Sequence, residues 1–526
     1  MEIGQSIYKI RNNAKLTQEQ FAEIFDVSQQ SVQKWESGSA VPDIEKIVKI
    51  AKYFDVSLDS LVMGNDNRLV EDMNKSEILK PQWKNLHDWE FYASNLKTEY
   101  QQSIEEGLDI EAYKDVFNSV SMLPKGEIKK RFGDVLFDIV ASAKIKEGYS
   151  YVEPSDLEQI QMMRRGTEER YSYDKDKIKD KIHGAWLGRI CGCMLGKSVE
   201  GARTNDLVPF LKETKNYPMY RYICRRDLKN IDLTKYKYNF AGRVYADEID
   251  GMPVDDDTNY VVLAQEIIKK YGRDFTPYNV ARAWLAYQGK NAYCTAERVA
   301  FCNFVKGYVP PQSAIYKNPY REWIGAQIRG DYFGYINPGD PKLAAEMAWR
   351  DASISHVKNG IYGEMFIAAM IAIAATTNNI EKIITLGLAE IPQTSRLYES
   401  VMLVLDSYKN GVPEQTCFKM IHEKYDEHSP HDWCHTISNA MIVVAALLYG
   451  EGDFSRSICM AVETGFDTDC NGATVGSILG MANGKETVFE EWSAPINNKL
   501  HTSVFGVGTI NISDCVEKTL SHIENA

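Results

Sequence analysis

Long apolar runs, strand-like alternation and an excess of positive charge are all scarce in this sequence of 526 residues. The longest apolar runs, such as Met365–Ala375 and Ala440–Tyr449, stop far short of the ~18–20 residues that cross a bilayer. No membrane partner is expected. The opening residues, MEIGQSIYKIRNN, lack the apolar centre of a secretion signal. Ten cysteines are scattered, so they read as reduced thiols and the expected location is cytoplasmic. The formal net charge is −13, which excludes a bulk nucleic-acid coater; any DNA contact must come from a local surface. No repeat of roughly 20–50 residues is present.

What is present is helix. Hydrophobic residues make up 44% of the chain, ample for a large core, and they recur at intervals of three and four. The predicted fold is all-α. Residues 1–65 form a unit of five helices, 66–178 a helical connector, and 179–526 a large helical body. The polar stretch Gly64–Lys75 reads as a linker, and the charged run Tyr171–Lys181 as either a boundary or a solvated helix face. Gly184, Gly188, Gly192 and Gly196 form a stripe without side chains on one helix, and Gly472, Gly476 and Gly480 repeat it. Glycine costs ~1 kcal/mol per position in a helix interior, so two stripes predict close helix packing in return.

Thr17–Glu36 reads TQEQFAEIFDVSQQSVQKWE. A capped short helix, a tight turn at Asp26-Val27 and a second helix with Val32 and Trp35 inward leave Gln29, Gln30, Gln33 and Lys34 outward. Glutamine pairs with an adenine edge, and lysine with guanine or phosphate. Over about residues 4–63 the sequence resembles the Cro/C1-type (XRE) helix-turn-helix family. The resemblance implies that Gln29, Gln30 and Lys34 read bases of double-stranded DNA and that Thr17 and Gln18 touch phosphate. A homodimer is expected, because such domains bind paired half-sites. The charge of this unit, seven Lys or Arg against nine Asp or Glu over residues 1–64, predicts modest affinity for one copy.

Two acidic clusters lie far apart. Asp255-Asp256-Asp257 and Asp467-Thr468-Asp469 each precede a helix-like stretch. One cluster alone would read as a helix cap. Five carboxylates meeting in a buried place require cations, and hard oxygen donors favour Mg²⁺ or Mn²⁺, two rather than one. His428, His431, Cys434 and His435 are also clustered. Zinc is not expected there, because no second cysteine pair accompanies them.

The order GAWLGRICGCMLGKSVEG, DDDTNY, DASISH and GFDTDCNGATVGSILG resembles the ADP-ribosylglycohydrolase superfamily, over about residues 180–500. The resemblance implies an all-α domain that removes ADP-ribose from a modified substrate with two Mg²⁺ or Mn²⁺ ions. It implies metal binding by Asp255, Asp256, Asp257, Asp467 and Asp469, and catalytic roles for Glu200 and Asp257. Three positions depart from the family pattern. Asp255 and Cys470 stand where threonine is common, and Cys193 where aspartate is common. The loop Ile324–Gly334 offers Arg329 for a diphosphate and Tyr332 or Phe333 for stacking on adenine, and His356 is expected in the substrate cleft. The alternative to an enzyme is a transcriptional regulator whose C-terminal region senses ADP-ribose or a related nucleotide without turnover.

Overall fold

The computed structural model describes residues 2–63, 81–167 and 170–524. The expected linker at Gly64–Lys75 lies outside the described residues. The chain divides into two compact units, Met1–Gln82 and Trp83–Ala526.

Among the described residues, the smaller unit contains five helices: Glu2–Asn13, Gln18–Ile24, Gln29–Glu36, Ile44–Tyr53 and Leu58–Met63. Their starts follow from local chemistry. Thr17 and Gln20 form a reciprocal capping box, and Ser28 and Asp43 cap the next two helices through their side-chain oxygens. Between the second and third helices Asp26 takes φ +52°, a left-handed turn that aspartate tolerates. Ile7, Phe21, Val32, Trp35, Ile50 and Leu61 close a small core of their own.

The larger unit is helical apart from one two-stranded antiparallel ribbon among the described residues, Lys499–His501 with Thr509–Asn511. Within it, Phe91, Leu96, Phe117 and Leu136 organise a local core. This layer is bound to the body by buried charge: Arg321 pairs with Glu99 at 2.8 Å, and Gln102 donates to Glu322 at 2.6 Å.

The centre of the body is a pair of helices, Ile178–Lys197 and Thr468–Asn483. The predicted glycine stripes face each other. A Cβ on Gly188 would sit 2.2 Å from the Gly476 carbonyl oxygen, and one on Gly192 would sit 2.0 Å from that of Gly472. Gly184 meets Gly480 the same way, and Gly196 abuts Thr468 and Asp469. The two backbones are therefore in direct contact, which only glycine permits. The pairing runs antiparallel, so the end of the first helix, followed by Glu200, meets the start of the second at Asp467–Asp469.

Candidate functional site

The acidic centre forms where three chain ends converge: the segment after the first striped helix, the start of the second, and the start of helix Asp256–Tyr271. Asp255 caps the last of these, accepting from the Asp257 amide at 2.9 Å. Its other oxygen accepts from Lys197 at 2.6 Å. Asp257 is fully buried. Arg189, from the first striped helix, donates at 2.9 Å both to its carbonyl and to Oδ1. The same guanidinium pairs with Asp331 at 2.9 Å.

Among the five aspartates expected as ligands, two buried oxygens stand without hydrogen-bond partners, Asp257 Oδ2 and Asp469 Oδ1. Asp467 accepts from the Cys434 thiol at 3.3 Å, and its amide donates to Asn439 at 3.2 Å. Asp256 is half-buried, and burial together with Asp255 and Glu200 raises its pKa to about 8. Burial and the charges of Glu200, Asp467 and Asp255 also push Asp469 well up. These carboxylates repel one another in the absence of a cation, so the donor set fits a divalent metal. Asp255, Asp257 and Asp469 come together in two overlapping groups, and the charges of Asp256 and Asp467 act on Asp257, although the two clusters are distant in sequence.

Glu200 stands at the rim with its side chain 38% exposed. Its backbone carbonyl accepts from Arg243 and from the Tyr238 hydroxyl, while its carboxylate lies 3.5 Å from Arg243. Burial raises its pKa, and Asp467 and Asp255 add to the rise. Beside the rim, Arg203 lies over the Trp433 ring at 4.4 Å and donates to the Gly465 carbonyl at 2.8 Å.

Four expected substrate contacts are placed differently. Arg329 is 2% exposed and spends its guanidinium on Glu297, Asp351 and Ser355. It is also flanked by the Tyr260 and Trp284 rings. It is the counter-ion of an internal acidic cluster, not a free diphosphate ligand. Tyr332 is fully buried, its hydroxyl 2.6 Å from His522 Nδ1. Phe333 is buried on Phe275, ring centroids 5.4 Å apart, so neither ring offers a face to adenine. His356 is also buried, with Nδ1 2.8 Å from Ser355 Oγ, and burial and Arg329 hold its pKa well down. Sequence reading missed Arg189 and Lys197. The available signal was a cation within an apolar, glycine-striped helix, which demands a buried anion.

The histidines fall into two groups with ligand atoms close enough to share a metal ion, His431 and His435 with Glu105, and His428 with Asp426 and Glu427. His428 is exposed beside Asp426. His431 Nδ1 accepts from the Trp323 indole at 3.2 Å, and His435 Nδ1 from the Ile437 amide at 3.1 Å. Nε2 of His431 lies 3.2 Å from Glu105, and Nε2 of His435 lies 3.8 Å from Glu105 and 3.7 Å from Glu322. Burial raises the pKa of Glu105, but the His431 bond and the two imidazole charges outweigh it and lower the value to about 2.

On the smaller unit, Gln29, Gln30 and Lys34 are exposed along helix Gln29–Glu36. Thr17 has its hydroxyl on the Gln20 amide at 3.1 Å, and Gln18 donates to Glu36 at 2.7 Å. Glu36 also holds Arg11. Thr17 and Gln18 therefore have partners within the unit.

Residues 7–61 match the helix-turn-helix family model. The HTH-type transcriptional activator BcrR of Enterococcus faecalis is 38% identical over 81 residues, 15% of this chain and 40% of that protein. The uncharacterized HTH-type transcriptional regulator YqaE of Bacillus subtilis (strain 168) is 32% identical over 76 residues, 14% of this chain and 66% of that protein. The chain thus spans less than two thirds of these relatives. A solved ADP-ribosylglycohydrolase-related protein complex aligns over 66% of this chain and 99% of its own, at 16% identity and a TM-score of 0.39. The described residues contain no helix long and apolar enough to cross a membrane. Residues 174–517 match the ADP-ribosylglycohydrolase model, and with that match spanning most of the chain, the protein belongs to the ADP-ribosylglycohydrolase family and carries a helix-turn-helix domain ahead of it.

Proposed function

We propose that the protein is a cytoplasmic hydrolase that removes ADP-ribose from a modified substrate and also binds DNA through residues 1–65. The observation that carries the hydrolase reading is the pair of buried, partnerless oxygens, Asp257 Oδ2 and Asp469 Oδ1. Such atoms are costly without a cation. Asp255, Asp256, Asp257, Asp467 and Asp469 would hold two divalent cations, and their oxygens suit Mg²⁺ or Mn²⁺. When bound, divalent cations supply Lewis acidity and lower the pKa of water.

The chain's own residues do the positioning. Arg189 fixes the plane of Asp257, and Lys197 that of Asp255. Glu200, held at the rim by its backbone contacts, would orient the nucleophile or take its proton. Departure of the acceptor group from the ribose C1 carbon builds positive charge on the sugar, which the surrounding carboxylates stabilise.

On the DNA-binding unit, Gln29, Gln30 and Lys34 form the base-reading face, and paired half-sites would require two copies. The deciding test is cation-dependent release of ADP-ribose from a panel of modified substrates, with Asp469→Asn as the comparison. Release by the wild type alone supports the hydrolase. Tight ADP-ribose binding with no release from any substrate supports a ligand-sensing regulator instead.

A further inference from the structure

Two thiols stand inside the acidic centre. The Cys193 sulfur and carboxylate oxygens of Asp255 and Asp257 all lie within 4.8 Å of one another, as do the Cys470 sulfur and oxygens of Asp257 and Asp469. Asp257 belongs to both groups, so the two sets share one carboxylate. Asp257, in both sets, and Asp469, in the second, each carry a buried oxygen without a hydrogen-bond partner, Oδ2 and Oδ1 respectively. Both cysteines are buried.

A buried cysteine usually serves as a small apolar side chain, and Cys191 does so here, its thiol donating to the Trp492 carbonyl at 3.3 Å. Cys193 and Cys470 are different, because their neighbours are carboxylates. Their positions are also fixed by the glycine contact. Gly192, next to Cys193, and Gly472, two residues after Cys470, touch backbone to backbone, which holds the two cysteine-bearing helix segments together.

We propose that Cys193 and Cys470 are ligands of this centre, giving a mixed carboxylate–thiolate donor set that selects zinc- or cobalt-type cations over Mg²⁺. The inference rests on the metal-hydrolase reading and changes its metal. Sulfur is a poor donor to Mg²⁺ and a good one to Zn²⁺ and Co²⁺, which also bind mixed sites more tightly.

The test uses the full chain, stripped with a chelator and reloaded with Zn²⁺. X-ray absorption at the zinc edge should show sulfur at about 2.3 Å beside oxygen at about 2.0–2.2 Å. An oxygen-only shell overturns the inference and leaves the hydrolase reading standing. Absence of any bound divalent cation overturns both. With Co²⁺, the sulfur-to-cobalt charge-transfer band should weaken in Cys193→Ser and in Cys470→Ser, vanish in the double variant and persist in Cys302→Ser. A band unchanged in the double variant overturns the inference. Zn²⁺ affinity should fall about tenfold or more in each single variant. If the double variant does not fold, the absorption spectrum of the wild type decides alone.

Discussion

Arg189 clamps Asp257 by two 2.9 Å hydrogen bonds, one to the backbone carbonyl and one to Oδ1, leaving Oδ2 as the free oxygen. One guanidinium thereby sets which edge of the carboxylate faces the acidic centre. It also neutralises Asp331. Arg189→Met would strand two buried carboxylates. The expected loss is about 3–5 kcal/mol of stability, measured by denaturant unfolding. A loss below about 1 kcal/mol would show that the clamp is not required.

Asp469→Asn is expected to abolish divalent-cation binding and ADP-ribose release. It removes one of several mutually repelling buried charges, so without metal the variant should melt no lower than the wild type. Melting curves in chelator, beside metal titration of both proteins, check the two halves separately. A variant that keeps full metal stoichiometry contradicts the ligand assignment.

Gly188→Val should force the striped helices apart, because the new Cβ would meet the Gly476 carbonyl oxygen at 2.2 Å. Overpacking of this kind costs typically about 1–3 kcal/mol, occasionally more. Metal binding should fall with it, since the contact aligns the two halves of the centre. At Gly289 the nearest atom to an added Cβ is 3.8 Å away, and Gly289→Ala should stay within about 0.5 kcal/mol of wild type. Equal melting temperatures for the Gly188 and Gly289 variants would refute the packing argument.

Acid should destabilise the larger unit through Glu105. This carboxyl titrates near 4.5 when unfolded and about 2 when folded. It faces His431, His435, Arg396 and Gln101. Below 4.5 the unfolded chain takes up a proton that the folded chain refuses. The stabilisation is therefore complete above that pH and lost as pH falls towards 2. Glu427, bonded to His422 and Thr204, is likewise lowered to about 2 and acts in the same direction. Glu105→Gln should flatten the pH dependence of stability in this window. An unchanged slope would assign the acid response elsewhere.

Gln29→Ala, Gln30→Ala and Lys34→Ala should each relax preference at one base position, and Lys34→Ala, which removes a positive charge, should also lower the salt slope. Fluorescence anisotropy on several sequences and at several salt concentrations checks both. Binding by Lys34→Ala that weakens by the same factor on every sequence would contradict its base-reading role.

The architecture was legible wherever one local pattern has a single physical reading. Glycines four apart on two helices announce a backbone contact, and the structure joins them. Thr17 with Gln20, and Ser28, mark helix starts that the structure keeps. Arg329 was not legible, because an arginine in a glycine-containing loop looks alike whether it faces solvent or a buried anion. Its partners Glu297, Asp351 and Glu364 come from three separate helices, and only folding reveals them. Tyr332 and Phe333 lie on the short helix Asp331–Tyr335 and are buried with it. Arg189 shows the converse: its sequence context carried the signal, and the need for a buried partner was the overlooked step.

The interlocked glycines also order events during synthesis. Gly184–Gly196 leaves the ribosome long before Gly472–Gly480, and at about 5–20 residues per second the wait is on the order of ten seconds or more. The smaller unit, with its own core, is complete by then. A nascent chain can thus present a finished DNA-binding domain before its acidic centre exists, and a chain truncated before Gly472 would keep the first capacity and never gain the second.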